Sequence, residues 1–508
     1  MKILSSLLLA LLITLPLIGQ TNVSGNITVN TTWGIQGSPY IVAGNVGVPT
    51  GLTLTIAPGV TVKYAGAFQI FVKGNVIAVG KKDSVITFTG TTPMVNSGAT
   101  HLKFEGANLS ASKVQYVTME YAFKSIRVGE ESEHNQRPKN TGTLTVDNIR
   151  ATEADIITAG YETMAKLVIT NGDFRSMNVL GQYPLSEPIE IRSSVFNNCM
   201  VTSDAYNYGI RIDSSRMFQT SILSSCCGSN VSILNSLLYR CSLISGDYAP
   251  FTIENSRLIE MSFAIQNGTV DVKNSIITLG DSATATYSLN RGSFIQSQMI
   301  GAAPASGWNF HNASTMQPVT IMHSLFYRST NGLIFTSIFD SLVTMDHNNF
   351  IEPRGYAAEN RTPHTMTMAN NYWGTTHPDS IAAHLFDEND DLSSGKILTH
   401  PILTEPDLLA PISPPSAVTK TLIGGTVYLS WNANKERDLA GHRLYAKNFT
   451  GYSFLSSVSA GTMTVASLPE ATLSDTIGVT AYDSEADGSR DQFEGRESWY
   501  SLAENGAS

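Results

Sequence analysis

Two short segments, one repeat apart, carry the charges best placed for chemistry. Glu190-Ile191-Arg192 and Arg211-Ile212-Asp213 each alternate charged and apolar residues, the period of a half-buried strand. If the segments stack, Glu190 lies beside Arg211 and Arg192 beside Asp213. A polysaccharide lyase can use such a group: a carboxylate to hold a cation, and an arginine as base or to neutralise a uronate. The competing reading is structural, because opposite charges on neighbouring strands pair with each other in ordinary sheets.

Three further groups invite the same weighing. Asp387, Asp390 and Asp391, in the run Asp387-Glu388-Asn389-Asp390-Asp391, offer the several oxygens that a hard cation such as calcium wants. The run lacks the Gly and Glu placing of an EF-hand loop, and a solvated closing turn uses the same residues. His323 and His347 fall at equivalent repeat positions, so their rings can stack, but no third metal ligand accompanies them. Tyr183, Tyr206, Tyr208 and Tyr248 precede successive strands. Their rings can pack against sugar rings or simply cover a sheet edge. No aspartate pair outside the 387–391 run suits hydrolysis through two carboxylates.

The element that must position all of these is an internal repeat. One slot recurs at Asn148, Asn171, Ser193, Ser214, Asn235, Asn255, Asn274, Ser297, His323, His347 and Asn370, about 22 residues per step, a spacing that belongs to stacked coils. Two positions before each slot is an aliphatic residue, from Val146 and Ile169 through Ile295 to Met368. Three positions after it is an apolar one, from Ala151 and Phe174 through Ile300 to Trp373. Asn tolerates the left-handed backbone conformation and can bond its own turn, so the slot reads as a bend between strands. Stacked slots lie about 4.8 Å apart, where Asn side chains can hydrogen-bond along the stack. The spacing predicts a parallel β-helix.

The entry segment Gly51-Leu-Thr-Leu-Thr-Ile-Ala-Pro-Gly59-Val-Thr-Val-Lys-Tyr64, the next segment Phe71 to Gly80, and the closing Asn370-Asn371-Tyr372-Trp373-Gly374 resemble those of secreted bacterial right-handed parallel β-helix proteins, the pectate-lyase-like fold. The resemblance covers residues 40 to 400. It implies a right-handed coil, and a site on the outward face of one long sheet that uses calcium-binding carboxylates and a basic residue. Glu190, Arg192, Arg211 and Asp213 are the positions that fit.

Domain organisation follows from composition along the chain. Residues 1–19, Met1-Lys2 and then a Leu-rich run, read as a signal peptide. Residues 20–405 form the β-helix, the proline-rich 406–415 a linker, and 416–508 a second all-β domain. In that domain Trp431 ends one expected strand, and His442 to Tyr445, Met463 to Val465 and Ile477 to Asp483 lie on others. This placement resembles a fibronectin type III β-sandwich. Asp475-Thr476-Ile477 departs from that pattern where a tyrosine is expected.

The chain has 508 residues, 15% of them charged, and a formal charge of −10, a balance that argues against nucleic acid and anionic membranes as partners. No stretch after the leader is apolar for long enough to span a membrane. Cys199 and Cys241 are expected to be buried and unpaired, because two rungs separate them beyond disulfide reach. The expectation is a secreted or cell-surface monomer that binds a polysaccharide or cell-surface glycan without catalysis or a required cofactor. The alternatives are a polysaccharide lyase and a purely structural coat component.

Overall fold

A computed structural model describes residues 19–505 except 93–97, 130–138, 159–163, 182–187, 204–208, 225–228, 247–248, 266–267, 280–286, 290, 302–307, 312–317, 338–339, 433, 449–450, 461–464, 470–472 and 487–495. Residues 1–18, which hold most of the expected signal peptide, lie outside the described residues.

The repeat folds as a parallel β-solenoid. One ladder of parallel strands runs unbroken from Thr31–Trp33, through Ile189–Arg192, Ile210–Asp213 and Val231–Leu234, to Val343–Asp346. A typical rung has three strands, such as Ile189–Arg192, Val195–Asn197 and Met200–Ser203. Its two bends fall at Ser193 and Asn198, with φ of 49° and 53°. Left-handed backbone costs a residue with a Cβ roughly 1–2 kcal/mol, least for Asn, which explains why Asn recurs at the bend.

The bend series matches the expected slots except at one rung. There the left-handed residue is Gln296, with φ of 50°, not Ser297. Phe294 pairs with Val272 and Ile321, and Met299 with Ile277 and Phe326, so Ile295 and Ile300 are not the core positions. The slip has a physical cause. Serine fills the bend at Ser193 and Ser214, but it also fills the position just after the bend at Ser194, Ser215, Ser236, Ser256 and Ser275. Ser297 belongs to that second series.

This second series is the continuous ladder of the fold. The Ser194 N–H donates to Ser215 Oγ at 3.1 Å, Ser215 N–H to Ser236 Oγ at 3.1 Å, and Ser236 N–H to Ser256 Oγ at 3.2 Å. The chain of bonds continues through Ser275, Ser297 and Ser324 and ends on the side-chain oxygens of Asn348 and Asn371. Each hydroxyl in turn donates to the carbonyl two residues before it, as Ser215 does to Asp213 at 2.8 Å. The bend residues themselves are linked far less: among the asparagines, Asn255 reaches Asn235 at 3.4 Å.

Cys199, Thr220 and Cys241 repeat the device at the second bend, where Cys199 N–H meets Thr220 Oγ1 and Thr220 N–H meets Cys241 Sγ. Both cysteines are buried and free, as expected. Burial raises both thiols above their ordinary range, Cys241 to about 11.

The interior is a continuous apolar column. Phe174 stacks on Phe196, and Phe326 on Phe350 and then Trp373, with ring centres 4.5–4.8 Å apart, the rung spacing imposed by strand pairing. Beyond the solenoid lie two four-stranded sheets, built largely from Ser416–Ile423, Thr426–Asn432 and Val465–Pro469 on one side and Leu439–Asn448, Gly451–Ser459 and Ile477–Asp483 on the other. They share one core, which includes Val427, Trp431, Leu444 and Val479. Gly451–Ser459 was not among the expected strands, and Met463 lies outside the described residues. No helix among the described residues is long and apolar enough to cross a membrane.

Candidate functional site

The outward face of the long ladder sets Glu190 opposite Arg211 and Arg192 opposite Asp213, in the expected register. The ion pairs run differently from that register. Glu190 pairs along its own strand with Arg192, and Arg211 pairs with Asp213 at 3.4 Å. Residues two apart on a strand share a face, and a long arginine folds back over that distance. Across strands, Glu190 takes Lys166 Nζ at 2.8 Å, a partner absent from the sequence reading.

Electrostatics make these carboxylates poor proton acceptors. The hydrogen bond from Lys166, aided by its charge and that of Arg192, holds Glu190 below the usual carboxylate range. Partial burial pushes Asp213 up, but bonds from Asn235, Ser214 and Arg211 outweigh it and leave the group lowered. Three rungs before the Arg211 strand, Asp147 is a denser hub. It accepts from Gln115 Nε2, Asn148 Nδ2, Thr170 Oγ1 and Asn171 Nδ2 at 2.7–2.9 Å. Burial raises it and those four donors more than offset the rise. Both aspartates anchor the bend column.

The acidic run is engaged in its own turn. Asp387 accepts from Asn389 N–H and Nδ2 through Oδ1, both at 2.9 Å, and from Ile397 N–H through Oδ2 at 3.1 Å. Asp390 accepts Asp387 N–H, and Asp391 accepts the N–H and hydroxyl of Ser393. Among the described residues no three His, Cys, Asp or Glu side chains are grouped to hold a metal ion. Tyr183, Tyr206, Tyr208 and Tyr248 all lie outside the described residues.

His323 and His347 do stack on neighbouring rungs, with ring centres 5.5 Å apart. Each Nδ1 meets a carboxylate: His323 meets Asp407 at 2.8 Å and His347 meets Asp346 at 3.0 Å. Asp407 belongs to the proline-rich segment, which is thereby pinned to the solenoid. Its backbone N–H and C=O also bond the side-chain amide of Asn349.

The same side of the solenoid receives the C-terminal sheets. Gln298 is fully buried. Its Nε2 donates to Glu497 C=O at 2.9 Å and its Oε1 accepts Trp499 N–H at 3.0 Å. Trp499 packs there on a small apolar cluster of Ile276, Ile300, Leu325 and Tyr327. Two polar cavities flank this seam. One, of about 250 Å³, is lined by Asn255, Asn274, Gln296, Leu409, Ala410, Pro411, Asp483 and Arg496. The other, of about 460 Å³, lies around Tyr372, Thr375, Glu405 and Lys435. Neither is legible in the sequence, because each joins segments far apart in the chain.

Compared with protein families, with curated proteins and with solved structures, the chain matches none.

Proposed function

We propose that the protein is a secreted or cell-surface binding rod that holds carbohydrate without transforming it. The observation that carries this reading is the state of the outward charges. Glu190 and Asp213 are each bonded to cations, and both are held in their ionised form below the usual range. A lyase of the expected kind needs a carboxylate open to a cation and an arginine free to act as base, and here each is already paired with the other. What the solenoid presents instead is a long polar surface on a rigid stack, suited to contact rather than turnover.

Finer assignments belong to the same proposal. A right-handed, pectate-lyase-like coil agrees with the parallel ladders. A fibronectin type III-like module agrees with two four-stranded sheets around Trp431. Export by the expected signal peptide agrees with Cys199 and Cys241 being kept buried, since an exposed thiol invites oxidation outside the cell.

The test is an ultraviolet assay for unsaturated uronates on pectate, alginate and glycosaminoglycans, with and without calcium, beside a glycan array. The expected result is no product on any substrate and retention on the array. Product that disappears in Arg211→Ala and Asp213→Ala would overturn the proposal in favour of a lyase.

A further inference from the structure

The cavity at the seam has a wall unlike the rest of the surface. Asn255, Asn274 and Gln296 are successive bend residues, each with a left-handed backbone, so their side chains recur at the rung spacing of about 4.8 Å. Among the described residues the side-chain amides of Asn274 and Gln296 make no hydrogen bond, and Asn255 makes one long bond, to Asn235. Elsewhere in the column Asn148 and Asn171 are held by Asp147, Asn235 by Asp213 and His323 by Asp407, while the side chains of Ser193 and Asn370 stand without a hydrogen bond among the described residues. Asn274 and Gln296 are two open amides on successive rungs, and both line the cavity.

The remaining walls complete a recognisable chemistry. Leu409, Ala410 and Pro411 supply an apolar side, and Leu409 is 60% exposed. Arg496 and Asp483 supply the polar end, 3.5 Å apart, and Arg496 also holds Glu485. Burial raises the Asp483 carboxyl above its ordinary range. One guanidinium faces two carboxylates, so the end wall does not favour an anionic ligand.

We propose that this seam cavity is a subsite for a neutral pyranose ring of a polysaccharide. Ring hydroxyls both donate and accept, which is what unengaged carboxamides require. One apolar face of the ring packs on Leu409 and Pro411, while Asp483 and Arg496 take the remaining hydroxyls. A volume of about 250 Å³ lies below the range typical of drug-sized ligands and suits a single ring, with the rest of the glycan leading out along the bend column. The inference rests on the carbohydrate-binding reading and deepens it with a place and a ligand class.

The test is calorimetric titration of the purified protein with neutral β-1,4-linked gluco-, manno- and xylo-oligosaccharides, and with oligogalacturonates. The variants are Asn274→Gly with Gln296→Gly, which delete the amides while allowing the left-handed backbone. Asn148→Gly serves as the control, at an equivalent bend outside the cavity. The expected result is binding of a neutral oligosaccharide, weakened about tenfold or more in the double variant and unchanged in the control, with thermal midpoints preserved. Neutral binding that the double variant retains in full overturns the subsite while leaving a binding rod in place. Binding of uronates alone overturns the ligand class. Binding of no glycan overturns both the subsite and the function it rests on.

Discussion

His101 is the side chain whose surroundings most contradict its chemistry. It is fully buried in the solenoid, between the rings of Tyr64 and Phe88 at 4.8 and 5.8 Å, and neither ring nitrogen has a hydrogen-bond partner. Burial lowers its pKa from the ordinary 6.5 to about 3. The unfolded chain therefore takes up a proton near pH 6.5 that the folded chain refuses until near pH 3. Stability from this site is complete above pH 6.5 and is lost as pH falls through that window, at about 1.4 kcal/mol per unit. His101→Phe keeps an aromatic ring in the stack and removes the titration. Chemical denaturation at pH 7, 5 and 4 should show wild type losing ground steadily to the variant. Parallel curves would mean that the ring finds a charge partner in the folded state.

At the level of the strand and bend, the serine after each bend holds neighbouring rungs together. Ser236→Ala removes the acceptor for the buried Ser215 N–H and the donor to Leu234 C=O. The expected loss is about 1–3 kcal/mol, measured by denaturation, whereas Asn235→Gly at the adjoining bend should change stability by less than about 1 kcal/mol. Equal effects would show that the bend residue carries the link. The period, the bends and the core positions were legible because burial every second residue and left-handed backbone both restrict residue choice. Ser297 was misread because serine satisfies both the bend and the ladder, and residue type alone cannot separate the two. The outward charge group was legible in register but not in pairing. Lys166 joins Glu190 from another strand, and arginine side chains choose partners by reach, not by row. Of the seam amides, Asn274 is read as a bend and Gln296 is missed because Ser297 takes its slot, and only the packing of distant segments reveals that both side chains stay open.

For the whole molecule, the C-terminal sheets are fixed to the solenoid by a contact spanning 199 positions, Gln298 to Glu497. Gln298→Leu leaves the Trp499 N–H and the Glu497 C=O without their partner in a dry setting. Hydrogen exchange should then quicken at residues 497–501 while the ladder around Ser236 keeps its protection. Loss of protection throughout would mean that the two parts unfold as one unit. The charge of −10 adds a long-range repulsion against polyanionic chains, screened beyond about 8 Å in physiological salt. The serine ladder also has an evolutionary consequence. Each hydroxyl presents the same acceptor to the coil on one side that its own N–H seeks on the other, so any coil can be followed by a copy of itself. Duplicating the stretch from Ser194 to Ser214 would insert one more layer with matching bonds above and below. Length can therefore change by tandem duplication in whole layers, while the cross-section and the two ends stay as they are.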